Sequence, residues 1–137
     1  MTTLIEAREA IYSAYANAGV IDSADLTFDN EAFDPPDTRS WARLSVRHTF
    51  MGQETLGPVG GRKFQRLGTA FVQIFTLSDQ GLDAADSLAD ATVKVFEGVR
   101  LPGTTVRFLN VLARESGPDG KWYQVVVEAN FEYDETR

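Results

Sequence analysis

Residues 66–98 of this chain read RLGTAFVQIFTLSDQGLDAADSLADATVKVFEG. Between Thr69 and Leu77 β-branched and aromatic residues dominate and apolar side chains occupy both parities, which predicts a strand in the middle of a sheet. From Leu82 the apolar residues recur at helical spacing, aspartates occupy the opposite side, and the final glycine is placed to end the helix. The stretch therefore predicts a central strand, a short break at residues 78–81 and a covering helix.

Composition limits the classes of protein to consider. The 137 residues are 43% hydrophobic and 11% aromatic, which is typical of one globular domain spanning residues 1–137. No apolar run approaches the roughly 20 residues that cross a bilayer, and the first residues lack the basic leader of a signal peptide, so we expect a cytoplasmic protein. The absence of cysteine excludes disulfides, thiolate zinc sites and cysteine nucleophiles. A net charge of −7 argues against specific binding of nucleic acid.

The start of the chain predicts a helix and a short strand. Thr2 or Thr3 is placed to cap the helix, with Glu6 completing a capping box, and Gly19 ends it. Its predicted apolar stripe consists of Leu4, Ala7, Ile11, Ala14, Tyr15 and Ala18. Residues 26–28 can form a short strand before an acidic stretch whose two prolines exclude a central strand.

Three further segments predict strands. In residues 41–50 the side chains on the core-facing parity are Ala42, Leu44, Val46, His48 and Phe50. In the last segment those on the inward parity are Tyr123, Val125, Val127, Ala129, Phe131 and Tyr133. Residues 104–114 predict a strand with both faces partly buried, and the turn sequence SGPDGK joins it to the last strand as a C-terminal hairpin.

The segment before the central strand shows neither period. Four glycines and one proline predict an exposed mobile loop from Gly52 to Lys63, unusually long for a simple connection. It and its flanks mix apolar and basic side chains, which suits a partner surface that orders on assembly: Met51, Leu56, Val59, Arg62, Lys63, Phe64 and Arg66. The alternative is a merely flexible connection.

Together these elements predict an α+β fold. We expect a mixed, mostly antiparallel β-sheet of four to five strands, with two helices packed on one face, a long loop before the central strand and a C-terminal β-hairpin. The opposite face is predicted to be polar with two large aromatic residues, and such a face can meet a partner. Its side chains are Trp41, Arg43, Arg47, Trp122, Gln124 and Glu128.

No set of residues predicts catalysis, a cofactor or a metal. His48 is the only histidine and lies on the inward parity of its strand, where a histidine satisfied by a neighbour is the simplest interpretation. The acidic residues at 29–37 lack the ligand order of a calcium loop, and those at 83–90 suit a solvated helix N-terminus. The sequence GPVGGRKF lacks the Gly-Lys-Ser/Thr ending of a phosphate loop and precedes a strand. We therefore expect a protein that is not an enzyme.

The pattern FQRLGTAFVQIFT, a glycine-containing break and LDAADSLADATVKVFEG, followed by KWYQVVVEANFEY, resembles the tail-terminator (tail-completion, minor tail) proteins of long-tailed bacteriophages. The resemblance implies a structural protein that forms a ring, in this family a hexamer, which caps the finished tail tube and ends its polymerisation. It also implies contacts with the tail-tube protein and the head-side connector, no cofactor, and a place in the virion tail after assembly in the bacterial cytoplasm. We expect the interface to use residues 51–66 together with Trp41, Arg43 and Trp122.

Other functions remain open at this point. Related phage folds serve as head–tail joining (neck) adaptors. A second class is a small-molecule-binding or enzymatic domain with polar groups from Tyr12, Tyr15, His48 and Tyr133 in the cavity between helices and sheet. A third is a monomeric regulatory adaptor that binds a peptide at a sheet edge.

Overall fold

The computed structural model describes residues 2–78 and 81–137. In chain order the elements are α1 (Leu4–Ala18), β1 (Leu26–Phe28), β2 (Trp41–Gln53), β3 (Lys63–Leu77), α2 (Asp83–Phe96), β4 (Arg107–Asp119) and β5 (Trp122–Thr136), with a 3₁₀ turn at Ser23–Asp25. Of the break predicted at residues 78–81, Asp79 and Gln80 lie outside the described residues.

The five strands form one sheet in the order β1-β2-β3-β5-β4. Only the β1–β2 pair is parallel, and the other three pairs are antiparallel. β3 is the middle strand, as its apolar residues on both parities predict, and β4 and β5 form the C-terminal hairpin. The predicted α+β fold is confirmed.

The core lies between one face of the sheet and the two helices. Its fully buried larger side chains come from both layers: Ile11, Tyr15, Leu44, Val72, Ile74, Phe96, Val106, Val127, Phe131 and Tyr133. The alternation predicted for the last strand is confirmed, because Val125 through Tyr133 are buried at every second position. The opposite face of the sheet, called the open face below, carries no helix in the described part of the chain.

The first helix is capped as predicted but its stripe is narrower. Thr3 is the N-cap, and its hydroxyl accepts from the Glu6 amide at 3.2 Å. Gly19, at φ 70°, ends the helix in the left-handed conformation. The buried residues are Ala7, Ile11 and Tyr15. Burial of Leu4 and Ala18 was a wrong prediction, because the sheet covers only the middle of this helix: Leu4 is 40% exposed and Ala18 is exposed.

α2 buries Ala85, Ala89, Thr92 and Phe96 against the sheet. The predicted stripe is wrong at its first member, because Leu82 precedes the helix and is 44% exposed. The left-handed glycine after the helix, at φ 69°, ends it as predicted.

A β-bulge in β2 overturns one predicted side-chain orientation. The register of β2 against β3 shifts between His48 and Phe50, so that His48 pairs with Gly68 and Phe50 with Leu67. Since adjacent residues of a strand point to opposite faces, Phe50 lies on the open face and is 50% exposed. The expectation that it shares the core face with His48 was wrong.

β4 also departs from its prediction. The strand covers Arg107–Asp119 rather than residues 104–114, and a two-residue turn at Gly120 and Lys121 follows it. The prediction of two partly buried faces was wrong, because β4 is an edge strand and most of its residues after Phe108 are exposed. Two bulges, after Phe108 and after Glu115, interrupt its pairing with β5.

Candidate assembly surfaces

The predicted mobile loop is shorter than expected and closes a β-hairpin of β2 and β3. Gly52 and Gln53 belong to β2 and Lys63 belongs to β3, so the connection is only residues 54–62. The Glu54 amide donates to the Lys63 carbonyl at 2.8 Å, and the Lys63 amide donates to Thr55 Oγ1 at 2.8 Å. The predicted bounds of the loop, residues 52–63, were therefore wrong at both ends, whereas residues 54–62 form a connection outside the strands and residues 54–61 are exposed, as predicted.

The tip of this hairpin carries two strongly exposed apolar side chains. Leu56 is 93% exposed and Val59 is 84% exposed. Met51, further down on β2, is 46% exposed. Exposure of large apolar side chains at the end of a hydrogen-bonded hairpin is a feature of contact surfaces. We call Leu56 and Val59 the hairpin tip.

The base of the hairpin is held by charged and aromatic contacts. Arg66 is buried and donates to Glu135 Oε1 at 3.1 Å. The guanidinium groups of Arg66 and Arg137 lie 5.2 and 5.8 Å from the ring centre of Phe64. Lys63 is exposed and its Nζ lies 3.5 Å from Asp134. These contacts hold the base of the hairpin against β5 and the end of the chain.

Two of the predicted interface residues at this base, Arg62 and Arg66, are held by contacts within the chain. The backbones of Arg62 and Arg137 are hydrogen bonded in both directions, at 3.3 and 2.8 Å, so the C-terminus lies beside the hairpin. Arg66 is 7% exposed, so it can affect an interface only through the residues that it positions.

The other three predicted interface residues form an aromatic cluster on the open face. Trp41 is 6% exposed and stacks on Phe75 with ring centres 4.1 Å apart. Trp122 meets Trp41 edge-on at 6.2 Å, and the Arg43 guanidinium lies 5.9 Å from the Trp41 ring centre. Phe33, from the acidic stretch before β2, packs on the other side at 5.3 Å. Arg43 and Trp122 are partly exposed, whereas Trp41 is covered by its neighbours.

A groove of about 700 Å³ lies between α1 and β2, and we call it the α1–β2 groove. Its lining residues are Leu4, Ile5, Arg8, Glu9, Tyr12 and His48. His48 Nε2 lies 2.8 Å from the Tyr133 hydroxyl at the inner wall. Burial lowers the pKa of His48, and Arg8 and Arg66 lower it further. Burial also raises the pKa of Tyr133 to about 12.

The structure does not bring the four candidates for a small-molecule site together. Of the four candidates for a small-molecule site, Tyr12 and His48 line the α1–β2 groove. Tyr15 is buried in the core with its hydroxyl 2.9 Å from Thr92 Oγ1, and burial raises its pKa. The His48 ring and the Tyr133 hydroxyl form a hydrogen bond with each other. This is the role expected for His48, a histidine at the core satisfied by a neighbour. Within residues 2–78 and 81–137 no group of three or more acidic or histidine side chains is placed to hold a metal ion.

Several exposed apolar residues of α1, β2 and β4 were not predicted from the sequence. They are Ile5 at 69%, Phe50 at 50%, Leu109 at 49% and Leu112 at 51% exposed. Ile5 breaks the helical stripe and carried a usable signal. The other three depend on bulges and on which strand is at the edge, which the local pattern does not reveal.

Comparison with known proteins identifies the family. A model of the phage tail terminator protein family matches residues 6–131. The chain belongs to the phage tail terminator family. It is thus a structural protein of phage tail assembly and a component of the virion tail, as the sequence resemblance indicates.

The fold also recurs among solved structures, of which 25 chains match. One, a protein identified only by a sequence number, has 16% sequence identity and a TM-score of 0.64, and the match covers 92% of this terminator chain and 94% of that chain. At this identity the likeness shows the fold alone. The search of curated proteins finds no significant match. None of the helices in the described parts of this terminator is both long and apolar enough to cross a membrane.

Proposed function

We propose that this protein forms a ring that caps the tail tube, ends polymerisation of the tube protein and presents a surface for joining to the head. The observation that supports this proposal most strongly is the exposed hairpin tip on a chain of the tail terminator family. Such a tip suits a structural protein that acts by assembly. When a partner covers the exposed apolar side chains, their removal from water lowers the free energy of the complex.

Contacts within the chain hold the base of the hairpin. Its ladder continues into residues 54 and 55, its base contains the buried Arg66–Glu135 pair, and the C-terminus pairs with Arg62. An ordered contact segment loses less conformational entropy on binding than a mobile loop does. Full burial of a Leu or Val side chain contributes about 1.5–3 kcal/mol, so Leu56 and Val59 together contribute about 3–6 kcal/mol to a contact.

The partners in this proposal are other copies of the chain, the tail-tube protein and the head-side connector protein. Assembly takes place in the bacterial cytoplasm, and the ring, a hexamer in our proposal, remains in the virion tail. The net charge of −7 suits a ring through which DNA passes without adhering, because like charges repel. No cofactor, specific nucleic-acid site or membrane contact belongs to the proposal.

The proposal is tested by the mass of the protein in solution. Light scattering and native mass spectrometry across a wide concentration range, with and without preformed tail tubes, measure self-association and binding to tube ends. We expect hexamers at high concentration or on tube ends. A protein that is monomeric at every concentration and does not bind tube ends contradicts the proposal. Binding to head connectors without binding to tubes would instead identify a neck adaptor.

A further inference from the structure

The sheet has two edges, one at β1 and β2 and the other at β4, and each edge is covered over only part of its length. On the first side, β1 pairs only with residues 42–44 of β2. Beyond it, the Leu44 carbonyl accepts from the Asp29 amide at 3.1 Å and the Val46 carbonyl accepts from Arg8 Nη2 at 3.1 Å. From Arg47 onward the described chain places no strand against this edge of β2. The α1–β2 groove lies beside this open edge, on the helix side of the sheet.

On the second side, the outer edge of β4 is covered only at its start. The Phe108 amide donates to the Val99 carbonyl at 3.0 Å, and the Leu101 amide donates to the Val106 carbonyl at 3.0 Å. After Phe108 the described chain places no strand outside β4. An unpaired strand edge of this length is a ready site for pairing with another chain.

Strand register determines which β4 side chains lie on which face. Glu115 pairs with the buried Val125, so it lies on the helix side of the sheet, the side of the α1–β2 groove. Leu112 pairs with Glu128, which alternates with the buried Val127 and Ala129, so Leu112 lies on the open face. On β2, Phe50 lies on the open face too.

In the described part of the chain, each side of the sheet carries a charged side chain that forms no ion pair, and the two have opposite charge. Among the ion pairs formed by residues 2–78 and 81–137, Arg8 of the groove and Glu115 of β4 take part in none. β2 itself carries Arg43 and Arg47 and no acidic residue. Arg8, which donates to the Val46 carbonyl, and Glu115, beside Arg114 on β4, can therefore pair between two copies without breaking an ion pair within the chain.

We propose that β4 of one copy lies along the open edge of β2 in a second copy of this chain. Glu115 then faces Arg8 in the α1–β2 groove, while Leu112 meets Phe50 on the open face. The contact joins opposite sides of one sheet, so it is head-to-tail and repeats by rotation until a ring closes. This inference rests on the proposed ring function and identifies its subunit contact. It leaves the hairpin tip, at the strand ends, for the tail tube.

The first test uses the absence of natural cysteine. A chain carrying both Phe50→Cys and Leu112→Cys is oxidised at a concentration where the wild type associates, and denaturing gels measure covalent products. We expect a ladder of disulfide-linked multimers. Within one chain β2 and β4 are separated by three interstrand spacings, about 14 Å, so an internal disulfide cannot form. Each single variant should give no ladder, because a head-to-tail contact brings unlike residues together.

The control pair is Leu82→Cys with Leu112→Cys, because Leu82 is 44% exposed, close to the exposure of Phe50, and lies before α2. We expect no ladder from this pair. A dimer from either single variant, or a ladder from the control pair equal to that of the test pair, overturns the edge-to-edge contact.

A charge exchange provides the second test. Glu115→Arg and Arg8→Glu should each weaken self-association at least tenfold, and a chain carrying both should recover most of it. Circular dichroism checks that each variant folds. Wild-type multimers that neither cross-link through residues 50 and 112 nor respond to the exchange would overturn this contact and leave the proposed function intact. A wild type that is always monomeric and does not bind tube ends would overturn the proposed function and this contact together.

Discussion

The ring of Phe131 on β5 lies directly over Gly68 on β3. The two residues pair across the strands, and a Cβ atom at position 68 would lie 2.5 Å from the Phe131 Cζ and 2.5 Å from the Arg47 carbonyl oxygen. Neither atom can move freely, because the Phe131 ring is fully buried and the Arg47 oxygen belongs to the backbone of β2. Gly68 therefore makes the close packing of the three central strands possible.

Replacing Gly68 by alanine should destabilise the protein by about 1–3 kcal/mol, the usual cost of overpacking a core. Chemical denaturation measures the free energy of unfolding. The matched control is Gly52→Ala, where the added Cβ would meet only the exposed Phe50 ring, at 2.8 Å, which can turn away. We expect the control to change stability by less than about 0.5 kcal/mol. Equal effects at the two positions would contradict this explanation.

The buried Arg66–Glu135 pair should be costly to break from one side. Its side chains are 8% and 9% exposed, and Arg137 Nη1 lies 3.8 Å from the other oxygen of Glu135, so Arg66→Met removes the nearer of two partners and should cost about 1–3 kcal/mol. Combining it with Glu135→Leu removes the buried carboxylate and should recover most of that loss. Denaturant titration of the two single variants and the double variant measures the coupling. Additive losses would show that the two side chains do not act as a pair.

Acidification should destabilise the folded chain through His48. Its pKa is lowered in the folded state, first by burial, so the unfolded chain takes up the proton first as pH falls. Stability should therefore decrease as pH drops below about 6.5, where an ordinary histidine titrates. The measurement is the free energy of unfolding from pH 8 to pH 5 for the wild type and His48→Gln. Parallel profiles for the two proteins would remove His48 from the pH dependence.

The hairpin tip should matter for assembly and not for folding. Leu56→Ser with Val59→Ser removes two side chains that are already in water, so the free energy of unfolding should change by less than about 0.5 kcal/mol. Binding to tail tubes should weaken by at least about tenfold, since 1.4 kcal/mol corresponds to that factor. Leu82→Ser, 44% exposed and away from the tip, is the control. Unchanged tube binding by the tip variant would exclude the tip from the contact.

The sequence predicted the elements with strong periodicity and missed features that depend on long-range pairing. The alternation of the last strand was correct from Val125 to Tyr133, and the apolar residues on both parities of β3 correctly placed it in the middle of the sheet. The orientation of Phe50 was wrong because a bulge adds one residue without a local signal. The exposure of β4 was not predicted, because a sequence with apolar residues such as Leu109 and Leu112 looks the same in an edge strand as in a central strand.

The candidate surfaces were predicted in part. Glycine, proline and apolar residues between β2 and β3 indicated a contact segment, and Leu56 and Val59 are indeed highly exposed. The burial of Arg66 was not predictable, because its partner Glu135 lies 69 positions away along the chain. Local composition cannot show that a basic residue in a polar segment lies next to a carboxylate on the neighbouring strand.

The central claim, that this terminator ends tube growth by capping, is tested most directly by the length of tail tubes. Purified tube protein is polymerised with and without this protein, and electron microscopy measures tube lengths and tube ends. We predict that the protein shortens the tubes in proportion to its concentration and that a ring of its subunits lies at one end of each tube. Tubes that grow to the same length in its presence, with bare ends, would contradict the account.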